Sequence, residues 1–206
     1  MHHIYLTKAF VLSSFPFSEA GKVLNLLTKE FGVIRAQAQG IRKGNSKLRQ
    51  STQDFSLTEV ALVLGKKGWI LTNANIEENV FYQLKDKINN SNNSDSTNQK
   101  VFKNKIEAIS RIFALVERMI PFEHDEEQGT YFFDLLKIVI VKIAESSEDQ
   151  ILAIETSAVY QIMNFLGYVN EESLNHEKII SDYSYVNKHK KQIIEIINNA
   201  LKESHL

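Results

Sequence analysis

The chain has 206 residues, enough for one large domain or two small ones. It is 43% hydrophobic and 24% charged with a net charge of −1, which is typical of a globular protein that builds its own core. It contains no cysteine, and this excludes disulfides, thiolate metal ligands and a cysteine nucleophile. No signal-peptide pattern or membrane-spanning run occurs in the sequence, so we expect a cytoplasmic protein without membrane contact.

The charges are distributed unevenly along the chain. Residues 1–80 carry ten Lys and Arg against six Asp and Glu, a net charge of +4. Residues 101–206 carry eleven Lys and Arg against seventeen Asp and Glu, a net charge of −6. Such an asymmetry favours a polyanion as the partner of the N-terminal part and a different role for the C-terminal part.

The first 80 residues show the pattern of short strands. Alternating or β-branched sequences predict strands at Ile4–Leu12, Gly32–Gly40, Phe55–Leu64 and Trp69–Ala74. The apolar segment Glu19–Phe31 lies between them, and its periodicity does not decide between helix and strand. Short strands at hairpin spacing are typical of a small barrel, and the five-stranded OB-fold is a common nucleic-acid-binding barrel.

A basic segment, Gly40–Arg49, follows one of these strands. It contains four cations and no acidic residue, whereas the chain as a whole is almost neutral. Cations in a glycine-punctuated loop can adjust to a line of phosphates, so we expect this loop to contact a nucleic-acid backbone. A strand residue, a basic turn and the single tryptophan, a candidate for base stacking, extend the predicted site. The full set is Arg35, Arg42, Lys43, Lys47, Arg49, Lys66, Lys67 and Trp69.

The second half of the chain has a different sequence pattern. Asn, Ser and Asp dominate residues 81–100, which we predict to be a flexible polar loop. Helical periodicity then predicts helices at Val101–Met119, Glu126–Ala144, Ile151–Leu166 and Lys188–Leu201. The predicted fold class is therefore α+β, with a β domain over residues 1–80 and an all-α protein-interaction domain over residues 101–206.

Several segments, taken in order, resemble the RecO family of bacterial DNA-repair proteins. In that family a leading strand and a Glu precede a Leu-Leu-Thr-x-x-x-Gly run, and the next strand leads into a basic Gly-Ile-Arg-Lys-like segment. The resemblance is good over residues 4–80 and looser beyond them. The matching segments are Ala9–Leu12, Glu19–Gly32, Ala38–Lys47, Gln53–Leu57, Gly68–Leu71 and Thr156–Val169.

The resemblance implies an OB-fold that binds single- and double-stranded DNA. It also implies strand annealing, contact with the single-stranded-DNA-binding protein, and cooperation with RecR in loading RecA. Many members of the family carry four zinc-binding cysteines after the Gly-Tyr segment. The corresponding region here, Asn170–Tyr185, has none and offers only His176, so we expect neither a metal nor another cofactor.

No catalytic motif stands out in the sequence. It has neither a phosphate-binding Gly-x-x-x-x-Gly-Lys-Ser/Thr loop nor a Gly-x-Gly-x-x-Gly turn, and no Ser has a His partner at an interpretable spacing. We therefore expect a non-enzymatic protein. Two alternatives stay open from the residues: an RNA-binding OB-fold module, and a protein adaptor whose barrel does not bind nucleic acid.

Overall fold

The computed structural model describes residues 3–89, 95–120, 126–169 and 174–203. The strands are β1 (Ile4–Pro16), β2 (Lys22–Thr28), β3 (Gly32–Ala38), β4 (Ser56–Gly65) and β5 (Gly68–Asn79). The helices are α1 (Leu48–Ser51), α2 (Val80–Asn89), α3 (Asp95–Met119), α4 (Glu126–Glu145), α5 (Glu148–Phe165), α6 (His176–Ser181) and α7 (Tyr183–Glu203). The predicted order, strands followed by helices, is confirmed.

The five strands form a closed barrel in the order β1-β2-β3-β5-β4. Neighbouring strands are antiparallel except for β3 and β5, which run parallel, with Ala36 opposite Trp69 and Gln37 opposite Ile70. This pairing closes the sheet and leaves it without a free edge. The predicted five-stranded OB-fold is thus confirmed.

Strand β2 occupies the segment that periodicity left undecided. Its residues Leu24 and Leu26 belong to the barrel core, while Val23, Asn25 and Leu27 on the other face are also 7% exposed or less. A strand that is covered on both faces has no polar alternation, which is why the pattern could not separate strand from helix.

The barrel has two ends that carry different loops. The β1–β2 hairpin, residues 17–21, and the long connection of residues 39–55 lie at one end, because Lys22 pairs with Ala38. The β2–β3 turn and the β4–β5 turn lie at the other end, because the ring of Trp69, which follows the β4–β5 turn, lies 5.2 Å from that of Phe31 in the β2–β3 turn. The β2–β3 turn lies about 20 Å from the β1–β2 hairpin along β3, at about 3.3 Å per residue.

Two compact units divide the chain. The first comprises Met1–Asn90 and Ile120–Asp134, and the second comprises Ser91–Met119 and Leu135–Leu206. The first unit therefore includes α2 and the beginning of α4, which the sequence-based boundaries did not assign to the barrel. Within it, the ring of Phe133 lies 5.1 Å from that of Phe10 on β1.

Much of the predicted polar loop is helical. Helix α2 covers residues 80–89, and α3 begins at Asp95; residues 90–94 lie outside the described part. The reason is tertiary packing, because α2 buries Val80 and Leu84, each 1% exposed, on one face. Two apolar residues four positions apart stabilise a short helix against its polar composition once a core receives them.

The second unit is a helical assembly in which α5 packs against α3 and α7. The Arg111 guanidinium on α3 donates to both carboxylate oxygens of Glu155 on α5, at 2.5 and 2.8 Å. Buried Lys105 donates to the Ala144 carbonyl in the last turn of α4, at 2.9 Å. Within the described ranges, no helix has both the length and the apolarity needed to cross a membrane.

The glycine at position 129 permits a close approach between α4 and the β2–β3 turn. A Cβ added to Gly129 would lie 2.6 Å from the Gly32 amide nitrogen and 2.8 Å from the Lys29 carbonyl oxygen. Both neighbours are backbone atoms, so the helix must shift. We expect Gly129→Ala to lower the free energy of unfolding by about 1–3 kcal/mol in a urea titration, the usual cost of overpacking.

The control for this prediction is Gly44→Ala. A Cβ at Gly44 meets no atom within 4 Å, so its effect should stay within about 0.5 kcal/mol, as for an ordinary surface substitution. Alanine favours a helix over glycine by about 1 kcal/mol, so Gly129→Ala would stabilise a helix that lay free of the turn. An unchanged or increased stability would contradict the close approach.

Candidate nucleic-acid interface

Two apolar side chains hold the basic segment on the barrel. Ile41 is 2% exposed within the barrel core, and half-buried Leu48 packs against the same core from the first turn of α1. The cations between and beside these anchors are all exposed. Burying the two anchors therefore brings the charged residues to the end of the barrel while leaving their head groups in solvent.

Successive turns order the segment between the anchors. The amide of Lys43 donates to the Gly40 carbonyl at 3.1 Å, that of Ser46 to the Lys43 carbonyl at 3.1 Å, and that of Arg49 to the Ser46 carbonyl at 3.3 Å. Gly40 has a φ of 69°, in the left-handed region that glycine adopts without strain. The loop is thus a series of hydrogen-bonded turns.

Arg42 joins this segment to the β1–β2 hairpin. Its Nη1 donates to the Ser18 carbonyl at 3.1 Å, and its amide donates to the Ala20 carbonyl at 3.1 Å. The remaining guanidinium donors have no hydrogen-bond partner among the described residues and face solvent on an exposed side chain. Arg42 therefore combines a positioning contact with a charge that can still meet a phosphate.

Two cavities lie beside the hairpin and the basic segment. One, of about 400 Å³, is lined by Lys22, Ile41, Arg42, Arg49, Thr52 and Gln53. The other, of about 490 Å³, is lined by Phe17, Ser18, Ala20, Gly21, Lys22, Gln37, Ala38, Gln39, Gly40 and Lys43. Among the residues that the structure describes, no carboxylate lines either cavity. We call the five cations at this end the basic rim: Lys22, Arg42, Lys43, Lys47 and Arg49.

Lys22 was missing from the sequence-based set. It stands twenty positions before Arg42 with no other cation beside it, so charge clustering along the chain could not find it. The register of β2 against β3 brings it to the rim, where it lines both cavities. Its Nζ donates to the Ser14 hydroxyl at 3.1 Å.

The charge of the rim is not neutralised by ion pairs. None of the ion pairs found among the described residues includes a rim residue. By contrast, Lys8 on the barrel wall lies 2.6 Å from Glu77, and this hydrogen bond raises the pKa of Lys8 above its ordinary value. An uncompensated group of cations around a concave surface concentrates positive potential there and attracts anions.

The structure does not bring every predicted cation to this end. Arg42, Lys43, Lys47 and Arg49 lie together on the rim, whereas Lys66 and Lys67 form the β4–β5 turn at the opposite end. Arg35 is exposed in the middle of β3, between the two ends. A contact of these three with nucleic acid stays a prediction, and it requires a strand that runs along β3.

The structure contradicts the predicted role of Trp69 in base stacking. It is 8% exposed and belongs to the barrel core, where its ring lies 5.2 Å from the rings of both Tyr5 and Phe31. The pairing of Trp69 with Ala36 explains this position, because both residues belong to the inward-facing set of their strands. A base cannot stack on a ring whose faces are packed inside the barrel.

The helical unit has a small apolar groove, and Lys142 is the one cation that lines it among the described residues. The groove measures about 150 Å³ and is lined by Leu135, Ile138, Val139, Lys142, Ile154, Ser157, Gln161, Ile180 and Tyr183. Ile138 and Ile180 are 54% and 41% exposed, respectively. The Lys142 ammonium lies 5.6 Å from the centre of the Tyr183 ring, a cation–π distance that holds the charge at the groove.

Comparison with known proteins relates the barrel to a described protein family. Residues 1–79 match the family described as "Recombination protein O N terminal". A DNA repair protein RecO from Cyanothece sp. is 24% identical over 187 residues, covering 89% of this chain and 57% of the relative. Residues 1–79 thus belong to this N-terminal domain family, and similarity to RecO proteins extends over most of the chain.

Other RecO relatives show how the similarity is distributed. The protein from Heliobacterium modesticaldum is 39% identical over 71 residues, covering 34% of this chain and 26% of the relative. The one from Gloeobacter violaceus is 23% identical over 170 residues, covering 81% of this chain and 57% of the relative. The chain thus spans little more than half the length of the relatives that it matches over most of its own length.

The donor set of this chain does not fit the zinc site that its resemblance to RecO proteins implies for many members. The sequence has no cysteine, and His176 hydrogen-bonds through Nδ1 to the hydroxyl of buried Tyr160 at 2.5 Å. Residues 170–173 of the relevant segment lie outside the described part. Elsewhere in the described ranges, no three His, Asp or Glu side chains are grouped to hold a metal ion.

The burial of Trp69 leads to a fluorescence prediction, because it is the single tryptophan of the chain. We expect its emission to be blue-shifted relative to the unfolded protein, to resist quenching by iodide, and to change little when an oligonucleotide binds. Steady-state fluorescence titrations measure all three properties. An emission typical of exposed indole, or strong quenching by an oligonucleotide in the folded protein, would place Trp69 at the interface and contradict its position in the core.

Proposed function

We propose that this chain is a DNA-binding mediator of recombinational repair that catalyses no reaction of its own. In this proposal it binds single- and double-stranded DNA and promotes the annealing of complementary strands. It would also help to load RecA, together with a RecR-like protein and the single-stranded-DNA-binding protein. The curated relatives that carry the name DNA repair protein RecO support the repair role.

One observation carries the proposal. The family match over residues 1–79 coincides with the barrel of strands β1–β5, and this barrel bears the basic rim. Four of the five rim cations are exposed and Lys22 is half-buried, the surface is concave, and no carboxylate of the described residues lines its cavities. Phosphate backbones are bound by such surfaces, since each neutralised phosphate releases counterions and gains entropy.

The rim also suggests how annealing would be promoted. Two complementary strands repel each other because both carry one negative charge per nucleotide. The four cations of the basic segment, which turns and the Arg42 contacts order, would together with Lys22 on β2 neutralise part of this charge without distorting the bases. Two strands could then approach closely enough to pair, and no chemical step is required of the protein.

The proposal predicts a salt-dependent affinity that the rim controls. We expect the double variant Lys43→Ala/Arg49→Ala to bind labelled single-stranded DNA more weakly and to flatten the slope of log affinity against log salt by about 1.4, at about 0.7 per phosphate. Both side chains are exposed, and neither has a side-chain partner among the described residues that an alanine would remove, so the fold should persist. Fluorescence anisotropy across a salt series measures the slope.

The matched control is Lys66→Ala/Lys67→Ala, which removes the same charge from the opposite end of the barrel. It should change the slope less than the rim variant does. Equal slopes for the two variants would argue against the rim as the surface that binds the DNA. Tighter binding to structured RNA than to single-stranded DNA would favour the RNA-binding alternative, and a folded protein that binds no nucleic acid at low salt would favour the adaptor.

The apolar groove supports a protein partner in the helical unit. The resemblance implies contact with the acidic tail of the single-stranded-DNA-binding protein, and such a tail requires a cation beside an apolar surface. The groove offers both, through Lys142 and the exposed side chains of Ile138 and Ile180. We therefore propose this groove as the binding site of the tail. The surface for the RecR-like protein is left open.

This assignment predicts the effect of a charge reversal. We expect Lys142→Glu to weaken the binding of a labelled peptide with the acidic C-terminal tail by roughly two- to thirtyfold, since an attraction of about 0.2–1 kcal/mol becomes a repulsion of similar size. Lys137→Glu, an exposed position on the same helix α4 that does not line the groove, is the matched control. If both reversals weaken the peptide equally, only the net charge matters and the groove is not the site.

A further inference from the structure

An exposed aromatic ring stands on the β1–β2 hairpin, directly beside the basic rim. Phe17 is 61% exposed, in contrast to the 8% of Trp69. It lines the cavity of about 490 Å³ together with Lys22 and Lys43. Phe17 makes no ring contact with another described aromatic residue, and much of its side chain is accessible to a ligand.

The backbone that carries this ring is held in place. The Phe17 amide donates to the Gly21 carbonyl at 3.1 Å, and the Gly21 amide donates to the Ser18 hydroxyl at 2.9 Å. Arg42 adds two contacts from the basic segment, to the carbonyls of Ser18 and Ala20. A ring on an ordered hairpin loses little conformational entropy when a ligand stacks on it, which favours binding.

The chemistry of the cavity specifies the ligand. Cations beside an exposed aromatic ring form the usual combination of single-strand-binding surfaces, in which the cations hold phosphates and the ring stacks a base. The lining also includes Gln37 and Gln39, whose amide groups can donate to and accept from the edge of an unpaired base. Its volume of about 490 Å³ lies within the range of about 300–1,000 Å³ that is usual for small-ligand pockets.

We infer that Phe17 stacks an unpaired base of a single strand while Lys22 and Lys43 contact the adjacent phosphates. This inference rests on the proposed nucleic-acid binding and adds a preference to it. In a duplex the faces of the bases are already stacked and are not available to the ring. Phe17 therefore strengthens the binding of single strands alone, whereas the rim cations act on both forms.

The test compares Phe17→Ala with Phe15→Ala, by anisotropy with a labelled single-stranded DNA, the corresponding duplex and a strand with abasic sites. Phe15, near the end of β1 and two residues before Phe17, is 43% exposed and lines neither cavity. We expect Phe17→Ala to lower the single-strand affinity roughly 5- to 150-fold, the range given by stacking of about 1–3 kcal/mol per base. Its duplex affinity, its abasic-strand affinity and its salt slope should match those of the wild type.

Further substitutions separate stacking from apolar bulk. Phe17→Tyr keeps a stacking ring and should retain the affinity, whereas Phe17→Leu keeps much of the apolar volume and should lose it. If Phe17→Ala folds poorly, these two variants replace it in the affinity comparison. An oligo-uridine strand of the same length tests whether the base or the sugar determines the affinity. If Phe17→Ala weakens the binding of the RNA strand and of the DNA strand equally, the result supports base stacking.

The outcomes distinguish this inference from the proposed function. If the wild type binds DNA with a steep salt slope but Phe17→Ala binds single strands equally well, the inference is wrong and the proposed function stands. A larger loss for Phe15→Ala, or equal losses on single strand, duplex and abasic strand, would also overturn it. If the folded wild type binds no nucleic acid at low salt, both proposals fail together.

Discussion

The parallel pairing of β3 with β5 is the constraint on which the arrangement of this chain depends. The four other strand pairs are antiparallel and could form an open, twisted sheet with two free edges. The pairing of Ala36 with Trp69 closes that sheet into a barrel. Closure sorts the connections into two groups, because a closed barrel has two ends and each loop must lie at one of them.

This sorting decides which charges act together. The β1–β2 hairpin and the basic segment come to one end, so Lys22 joins four cations that are distant from it in sequence. The β4–β5 turn goes to the other end and takes Lys66 and Lys67 with it. The same pairing turns Trp69 toward the core, so the aromatic group left beside the rim is Phe17.

At the rim, burial and exposure are coupled along a short stretch of chain. Ile41 and Leu48 pack against the barrel, and the residues between them are held in hydrogen-bonded turns with their charges in solvent. Electrostatic attraction to phosphates is strong but insensitive to sequence and strand number. A stacking ring adds what the cations lack, since it distinguishes an unpaired base from a base pair. The two proposals thus assign different properties of one surface to different residues.

The helical unit is stabilised in a different way from the barrel. Its stability derives from apolar faces that pack against each other, supplemented by the bidentate Arg111–Glu155 pair between α3 and α5. Helix α2 shows how far packing can override composition. Its polar sequence resembles a linker, yet Val80 and Leu84 on one face are sufficient because the barrel unit supplies a surface for them. Lys142 reaches the apolar groove through its place on α4 and its contact with Tyr183.

The sequence by itself determined the features that depend on local pattern. Alternation along Gly32–Gly40 and Phe55–Leu64 predicted strands β3 and β4, and helical periodicity from Val101 onward predicted the helices that follow. The charge density around Arg42 and Lys43 is also a local property, and the contact with nucleic acid that it predicts stays a prediction. Strand β2, the helix over residues 80–89, the recruitment of Lys22 and the burial of Trp69 were decided only by the tertiary structure. Each of these features depends on which surface covers a residue. The closure of the barrel and the packing between distant segments determine that surface, and a short stretch of sequence contains no information about either.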